Sequence, residues 1–156
     1  MNRHNPQKDA FLKSIPTCTI ESVSNKFTNI AFNFQFFDKS QSAGQDFSGW
    51  THGQLVNLLE KLKWYCSETM EHWKIEPIGH GSGHVLDIYG NFPSKSDFIH
   101  PRHVPINARW GRFRLEGDMR LIGFIVDSEN CISHKIPPNI FYVVFLDAFH
   151  KFYKSE

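Results

Sequence analysis

Cysteine is scarce in this chain: Cys18, Cys66 and Cys131 are widely spaced in 156 residues, and no Cys-x-x-Cys pair occurs. An odd, scattered set argues against a disulfide scaffold and fits a reducing cytoplasm. No apolar run approaches the roughly 20 residues that a membrane helix needs. The first twenty residues also lack the continuous apolar stretch of a signal peptide. Charge is balanced, with 17 Lys and Arg against 16 Asp and Glu, a formal net charge of +1. With no global pull toward polyanions, any anion site has to come from local clustering. No Gly-x-Ser-x-Gly nucleophile elbow occurs, no glycine loop ends in Gly-Lys-Ser/Thr, and no internal repeat or low-complexity tract is present. The expectation is a cytoplasmic protein with no membrane partner.

Aromatic residues, by contrast, are abundant. Fifteen Phe in a chain of one-domain length can fill a substantial core. Residues 1–25 are polar and mixed, with Pro6 and Pro16, and read as a flexible or peripheral arm. Residues 26–156 then read as a single α+β domain. Within it, 27–38 alternates, so Ile30, Phe32, Phe34 and Phe36 share one face of a half-buried strand. Thr51 and Gln54 have capping-box spacing. Leu55, Leu58, Leu59, Leu62, Cys66, Thr69, Met70 and Trp73 recur at helical spacing, which predicts one amphipathic helix over 52–73. Residues 74–108 form an insert that reads as a surface loop carrying function, with a short strand near 85–89. Two strands follow at 109–116 and 119–127, joined at Glu116-Gly117-Asp118, then a loop at 128–139. The run 140–147 is apolar on both faces, as a covered central strand is. The fold expected is a small antiparallel sheet with one long amphipathic helix packed on one face.

Arginine is distributed unevenly. Four of the six arginines, Arg109, Arg112, Arg114 and Arg120, fall in the 109–125 hairpin, while eleven lysines are scattered. Alternation puts Trp110, Arg112, Arg114 and Glu116 on one strand face and Phe113 and Leu115 on the core face, with Arg120 just past the turn. Guanidinium forks match phosphate oxygens and stay charged in any environment, so such a row with an indole among it suits an RNA backbone. The same row also fits a solvated strand face whose charges pair with Glu116 and Asp118.

After the apolar run come His150 and Tyr153, with Lys151 and Lys154. Histidine exchanges protons near neutral pH. A general acid beside phosphate-binding arginines suits RNA cleavage by internal 2′-hydroxyl attack. A polar cap on the sheet end is the plainer alternative. His80 and His84 are spaced i, i+4 among glycines, and His100 and His103 flank a proline. Neither pair has an acidic or Cys companion at metal-ligand spacing, so no metal and no cofactor is expected. A small-molecule or metal site on the histidine-rich 80–103 stretch remains a third reading.

With Arg120-Leu121-Ile122-Gly123, the apolar strand 141–147 and His150-Lys151-Phe152-Tyr153 in place, residues 109–153 resemble the RelE/HigB/YoeB-like toxins of bacterial toxin–antitoxin pairs. The resemblance covers under a third of the chain. This chain is longer and closer to neutral than typical members, and it carries the 74–108 insert. The resemblance implies a RelE-like fold and a metal-independent endoribonuclease, an mRNA interferase acting on RNA and on ribosome-bound mRNA. It also implies neutralisation by an antitoxin protein. It assigns Arg120 to the transition-state phosphate, His150 to the general acid and Tyr153 to base stacking or proton relay. Glu116 would be the base, and Arg109, Arg112, Arg114, Lys151 and Lys154 would grip RNA. A non-catalytic RNA- or protein-binding module would use the same basic face.

Overall fold

A computed structural model of the chain describes residues 5–154. Its N-terminal helix α1, Pro6–Ser14, starts where the Asn5 side chain accepts the amides of Gln7 and Lys8, and none of its residues is buried. The segment read as a flexible or peripheral arm contains this capped helix, which buries none of its residues; residues 1–4 lie outside the described region.

A 3₁₀ turn, Glu21–Thr28, leads into β1, Ala31–Asn33. This strand is far shorter than the 27–38 alternation predicts. Asn33 ends it: its Oδ1 accepts the Gln35 amide at 2.8 Å, and Phe37 N–H bonds back to Phe34. The turn divides the aromatic row. Phe32, Phe34 and Phe37 pack on one side of the sheet, and Phe36 on the other.

Helix α2, His52–Tyr65, begins with the capping box read from Thr51 and Gln54. The helical pattern continues to Trp73, yet the helix breaks at Cys66 and restarts as α3, Met70–Ile75, with Thr69 accepting the His72 amide. The carbonyls freed at the break are used elsewhere. Asn29 donates to those of Cys66 and Ser67, Ile30 N–H bonds that of Glu68, and the Trp73 indole reaches that of Tyr65 at 2.7 Å. These bonds satisfy carbonyls that the broken helix leaves without intrahelical partners.

The remaining strands are β2, Leu86–Gly90, β3, Arg109–Arg114, β4, Arg120–Ile125, and β5, Ile140–Asp147. They form one five-stranded sheet in the order β1-β5-β4-β3-β2. The pairs from β2 to β5 are antiparallel, and β1 runs parallel to β5. The sheet is thus mixed rather than wholly antiparallel. At Gly123 a Cβ would stand 2.2 Å from the Tyr142 carbonyl oxygen, so only glycine fits beside the β4–β5 irregularity. Between β4 and β5, where the sequence suggested a loop, lies α4, Ser128–His134, capped by Asp127.

Both faces of the sheet are covered. On one, Leu58, Tyr65, Met70 and Trp73 of α2 and α3 pack on Phe113, Leu121, Phe141 and Val143. On the other, Phe98, Val104 and Ala108 from the 91–108 segment pack on Trp110, Phe124, Phe145 and Phe152. That segment is a lid over the second core, held by burial worth about 1.5–3 kcal/mol for a large apolar side chain. It is not the free surface loop suggested by its composition.

Candidate active site

The lid covers the end of the second face that carries Trp110 and Phe124. Toward the β3–β4 turn the same face becomes polar. Register places Asp87 opposite Arg112, Arg114 opposite Arg120, and Arg120 opposite Asp147, so these five side chains share one patch.

The C-terminal segment closes over it. Asp147 is fully buried at the end of β5, and its carboxylate accepts three backbone amides: Phe149 at 3.2 Å, Lys151 at 3.0 Å and Phe152 at 2.8 Å. This turn drives Phe152 into the second core and holds His150 in the left-handed region, at φ 55°. The His150 ring folds back onto β3, where its Nε2 lies 2.6 Å from Arg112 Nη1. Burial first, then the charges of Arg120 and Arg112, lowers the imidazole pKa; Asp147 and Asp118 pull the other way.

Arg112 is gripped from its other side by Asp87, whose Oδ2 accepts from Nη2 at 3.1 Å and Nε at 3.3 Å. Its guanidinium carbon lies 5.7 Å from the Tyr89 ring centroid, and Tyr153 stacks on Tyr89. Arg120 is 4% exposed and donates through Nη1 to the carbonyls of Gly117 and Met119, at 2.7 and 2.8 Å. Its Nε and that of Arg114 are buried with no acceptor among the described residues. Burial, then Arg112 and Arg114, lowers the Arg120 pKa, though a guanidinium remains cationic. Tyr65 of α2 anchors β3 from behind by donating to the Arg114 carbonyl.

The structure brings together Arg112, Arg114, Arg120 and His150, with Tyr153 joined through Tyr89. Other residues read as one site do not join them. Glu116 accepts a hydrogen bond from Asn57 of α2, on the helix-covered side. Arg109 is exposed and alternates to the face opposite Arg112. Lys154 pairs with Asp97 of the lid, and the Lys151 ammonium lies 5.5 Å from the Phe149 ring centroid. Trp110, expected beside the arginines as an exposed indole, is 1% exposed because the lid encloses it.

Sequence reasoning missed Asp87, Tyr89 and Asp147. Alternation over 85–90 could have placed the first two on one strand face. Asp147 is the carboxylate that ends an apolar run, directly before the His-bearing tail.

Three histidines of the insert are separately engaged, and His80 is exposed. His84 Nδ1 lies 3.7 Å from Asp87 Oδ1, His100 packs edge-on against Trp110, and His103 Nε2 lies 3.0 Å from the Phe36 carbonyl oxygen. Among the described residues, no three His, Cys, Asp or Glu side chains group as a metal site requires. No helix among them is long and apolar enough to cross a membrane. No family model, curated protein or solved structure matches the chain.

Proposed function

We propose that this protein is a cytoplasmic endoribonuclease with a RelE-like fold, the toxin of a toxin–antitoxin pair, which cuts RNA without a metal. The observation that carries this reading is the 2.6 Å contact of Arg112 with His150, with Arg120 and Arg114 facing each other on the same sheet face. Fixed cations aimed at one place stabilise the charge that builds on a phosphorus centre, and a histidine beside them moves a proton. In the reaction, the RNA 2′-oxygen bonds to phosphorus as its proton leaves, and the phosphorus–O5′ bond breaks. The 5′-oxygen gains a proton, giving a 2′,3′-cyclic phosphate and a 5′-hydroxyl. The aromatic column of Tyr89 and Tyr153 supports the choice of RNA, since single-stranded bases stack on such rings. Ribosome-bound mRNA is the proposed natural substrate, and an antitoxin covering the basic patch is the proposed partner.

The test is cleavage of single-stranded RNA by the purified protein, together with growth of cells expressing it. His150→Ala should lower cleavage by about 10²–10⁴-fold, the usual share of a proton-transfer group. Arg120→Ala should abolish cleavage and growth inhibition in protein that circular dichroism shows to be folded. Unchanged toxicity in both variants would remove the catalytic assignment.

A binding module without catalysis is favoured by one observation: Asp87 already neutralises much of Arg112. Its mark would be salt-sensitive RNA retention by a parent protein that cuts nothing.

A further inference from the structure

We propose that Arg112, before it meets phosphate, fixes His150 as a neutral imidazole in the free protein, its proton on Nδ1 and its Nε2 lone pair reserved, so that His150 takes the substrate's proton rather than donating one. The proposal rests on the ribonuclease reading of this site and reverses the acid role that the toxin resemblance gives to His150.

The argument starts from which atom can donate. A guanidinium has five N–H groups and no acceptor. In the 2.6 Å contact between Arg112 Nη1 and His150 Nε2, the hydrogen therefore comes from arginine and the lone pair from histidine. An imidazolium, protonated on both nitrogens, cannot make this contact.

Arg112 is held in place for the task. Asp87 Oδ2 takes its Nε and Nη2 hydrogens, and the Tyr89 ring lies beside it. Asp87 is in turn flanked by His84, 3.7 Å from Oδ1. Only the Nη1 edge faces the imidazole. On the histidine side, Asp147 fixes the backbone turn through its three amide contacts.

The charged groups around His150 agree with a neutral ring. Arg112 from β3 and Arg120 from β4 oppose a further positive charge, as does burial. Asp147 from β5 and Asp118 from the β3–β4 turn favour one, with smaller effect.

An incoming phosphodiester changes the balance, because an anionic oxygen is a stronger acceptor for an arginine N–H than an imidazole is. The Nη1 hydrogen turns to the phosphate and Nε2 is released beside the 2′-hydroxyl. The hydroxyl proton passes to Nε2 as the 2′-oxygen bonds to phosphorus. The phosphorus–O5′ bond breaks, and the 5′-oxygen takes a proton from water. The resulting hydroxide removes the proton from the imidazolium, restoring the starting state. Arg112 guards the base in the free protein and becomes a phosphate ligand in the complex.

The experiment is long-range ¹H–¹⁵N NMR of the histidine rings in the full chain, with His150 assigned by His150→Gln. The parent should show the Nδ1–H form of His150 at neutral pH and a titration midpoint below the ordinary histidine value. Arg112→Met, which removes both charge and donor, should raise that midpoint. The double variant Asp87→Asn with Arg112→Met leaves no stranded carboxylate and should do the same if the single variant unfolds. In the parent, cleavage should rise with pH through the His150 midpoint, and in the folded arginine variant that limb should move to higher pH. An Nε2–H form in the parent, an unmoved midpoint in the variants, or cleavage that falls as pH rises through the midpoint would overturn the proposal. A parent with the expected ring state and midpoint shift that cuts no RNA would instead retire the ribonuclease reading and leave the Arg112–His150 lock in place.

Discussion

The ring of Tyr153 lies flat on that of Tyr89, with centroids 4.6 Å apart and planes 10° from parallel. The two do not stand equally in water: Tyr153 is 43% exposed, whereas the Tyr89 hydroxyl is buried with no hydrogen-bond partner among the described residues. Burial also raises the Tyr89 pKa, so the hydroxyl stays protonated. The Tyr89 ring therefore supports Tyr153 and Arg112, while its hydroxyl carries a desolvation cost.

Tyr89→Phe should keep the stack and remove that cost. Leaving a buried polar group unsatisfied costs about 1–3 kcal/mol, so the variant should be more stable than the parent by up to that amount. Urea denaturation monitored by fluorescence measures it. A less stable variant would mean that the hydroxyl has an acceptor after all.

Asp147→Ala should do more than remove a charge. Three amides of the turn lose their acceptor, and His150 loses the constraint that keeps it at φ 55°. Left-handed backbone at a residue other than glycine persists only when its surroundings enforce it. The expected loss is about 2–4 kcal/mol in thermal or chemical unfolding, together with a fall in RNA cleavage as large as that of His150→Ala. Full cleavage by folded Asp147→Ala would show that His150 does not need the turn.

The contrast between Asp147 and Asp127 shows which features were legible in the chain. Strand β5 was readable in full, because seven apolar and aromatic residues, Ile140 to Leu146, on both faces have no stable place except a covered strand. The β3–β4 hairpin, β2 and the capping box of α2 were also readable from local pattern. Helix α4 was not, although Asp127 and Asn130 have cap spacing, because prolines and serines nearby suggested a loop. The break in α2 was hidden because Thr69 fits the apolar period and a helix cap equally well, and Asn29 from a distant segment decides between them. At the site, alternation gave Arg112 and Arg114 their shared face. The fold-back of His150 was outside the reach of periodicity, since it depends on a buried carboxylate gathering amides from a tail with no regular structure. The burial of Trp110 depended on the irregular lid, whose Phe98 and Val104 carry no periodic signal.

His150 also predicts how stability varies with pH. Its pKa in the folded chain lies below the ordinary value of 6.5. At pH values below that ordinary value the unfolded chain binds a proton that the folded one resists. The stabilising contribution is thus fully present above 6.5 and is lost as pH falls through that value toward the folded pKa. The thermal midpoint of the parent should drop on acidification more steeply than that of His150→Gln, with the two curves diverging below neutrality. Parallel curves would show that His150 has the same proton affinity in both states.

Arg114 and Arg109 make a paired test of which face meets RNA. They begin and end the same strand, but Arg114 shares the face of Arg112 and Arg120, whereas Arg109 alternates to the other. Each phosphate contact with a single strand adds about 0.7 to the slope of log affinity against log salt. With a fluorescent 2′-O-methyl oligoribonucleotide, which lacks the nucleophile and cannot be cut, binding can be followed by anisotropy over a range of salt. Arg114→Gln should lower the slope by about 0.7, and Arg109→Gln should leave it unchanged. If Arg109→Gln flattened the slope and Arg114→Gln did not, the nucleic acid would lie on the sheet's other face. The Arg112–His150 pair could then have no part in cutting it.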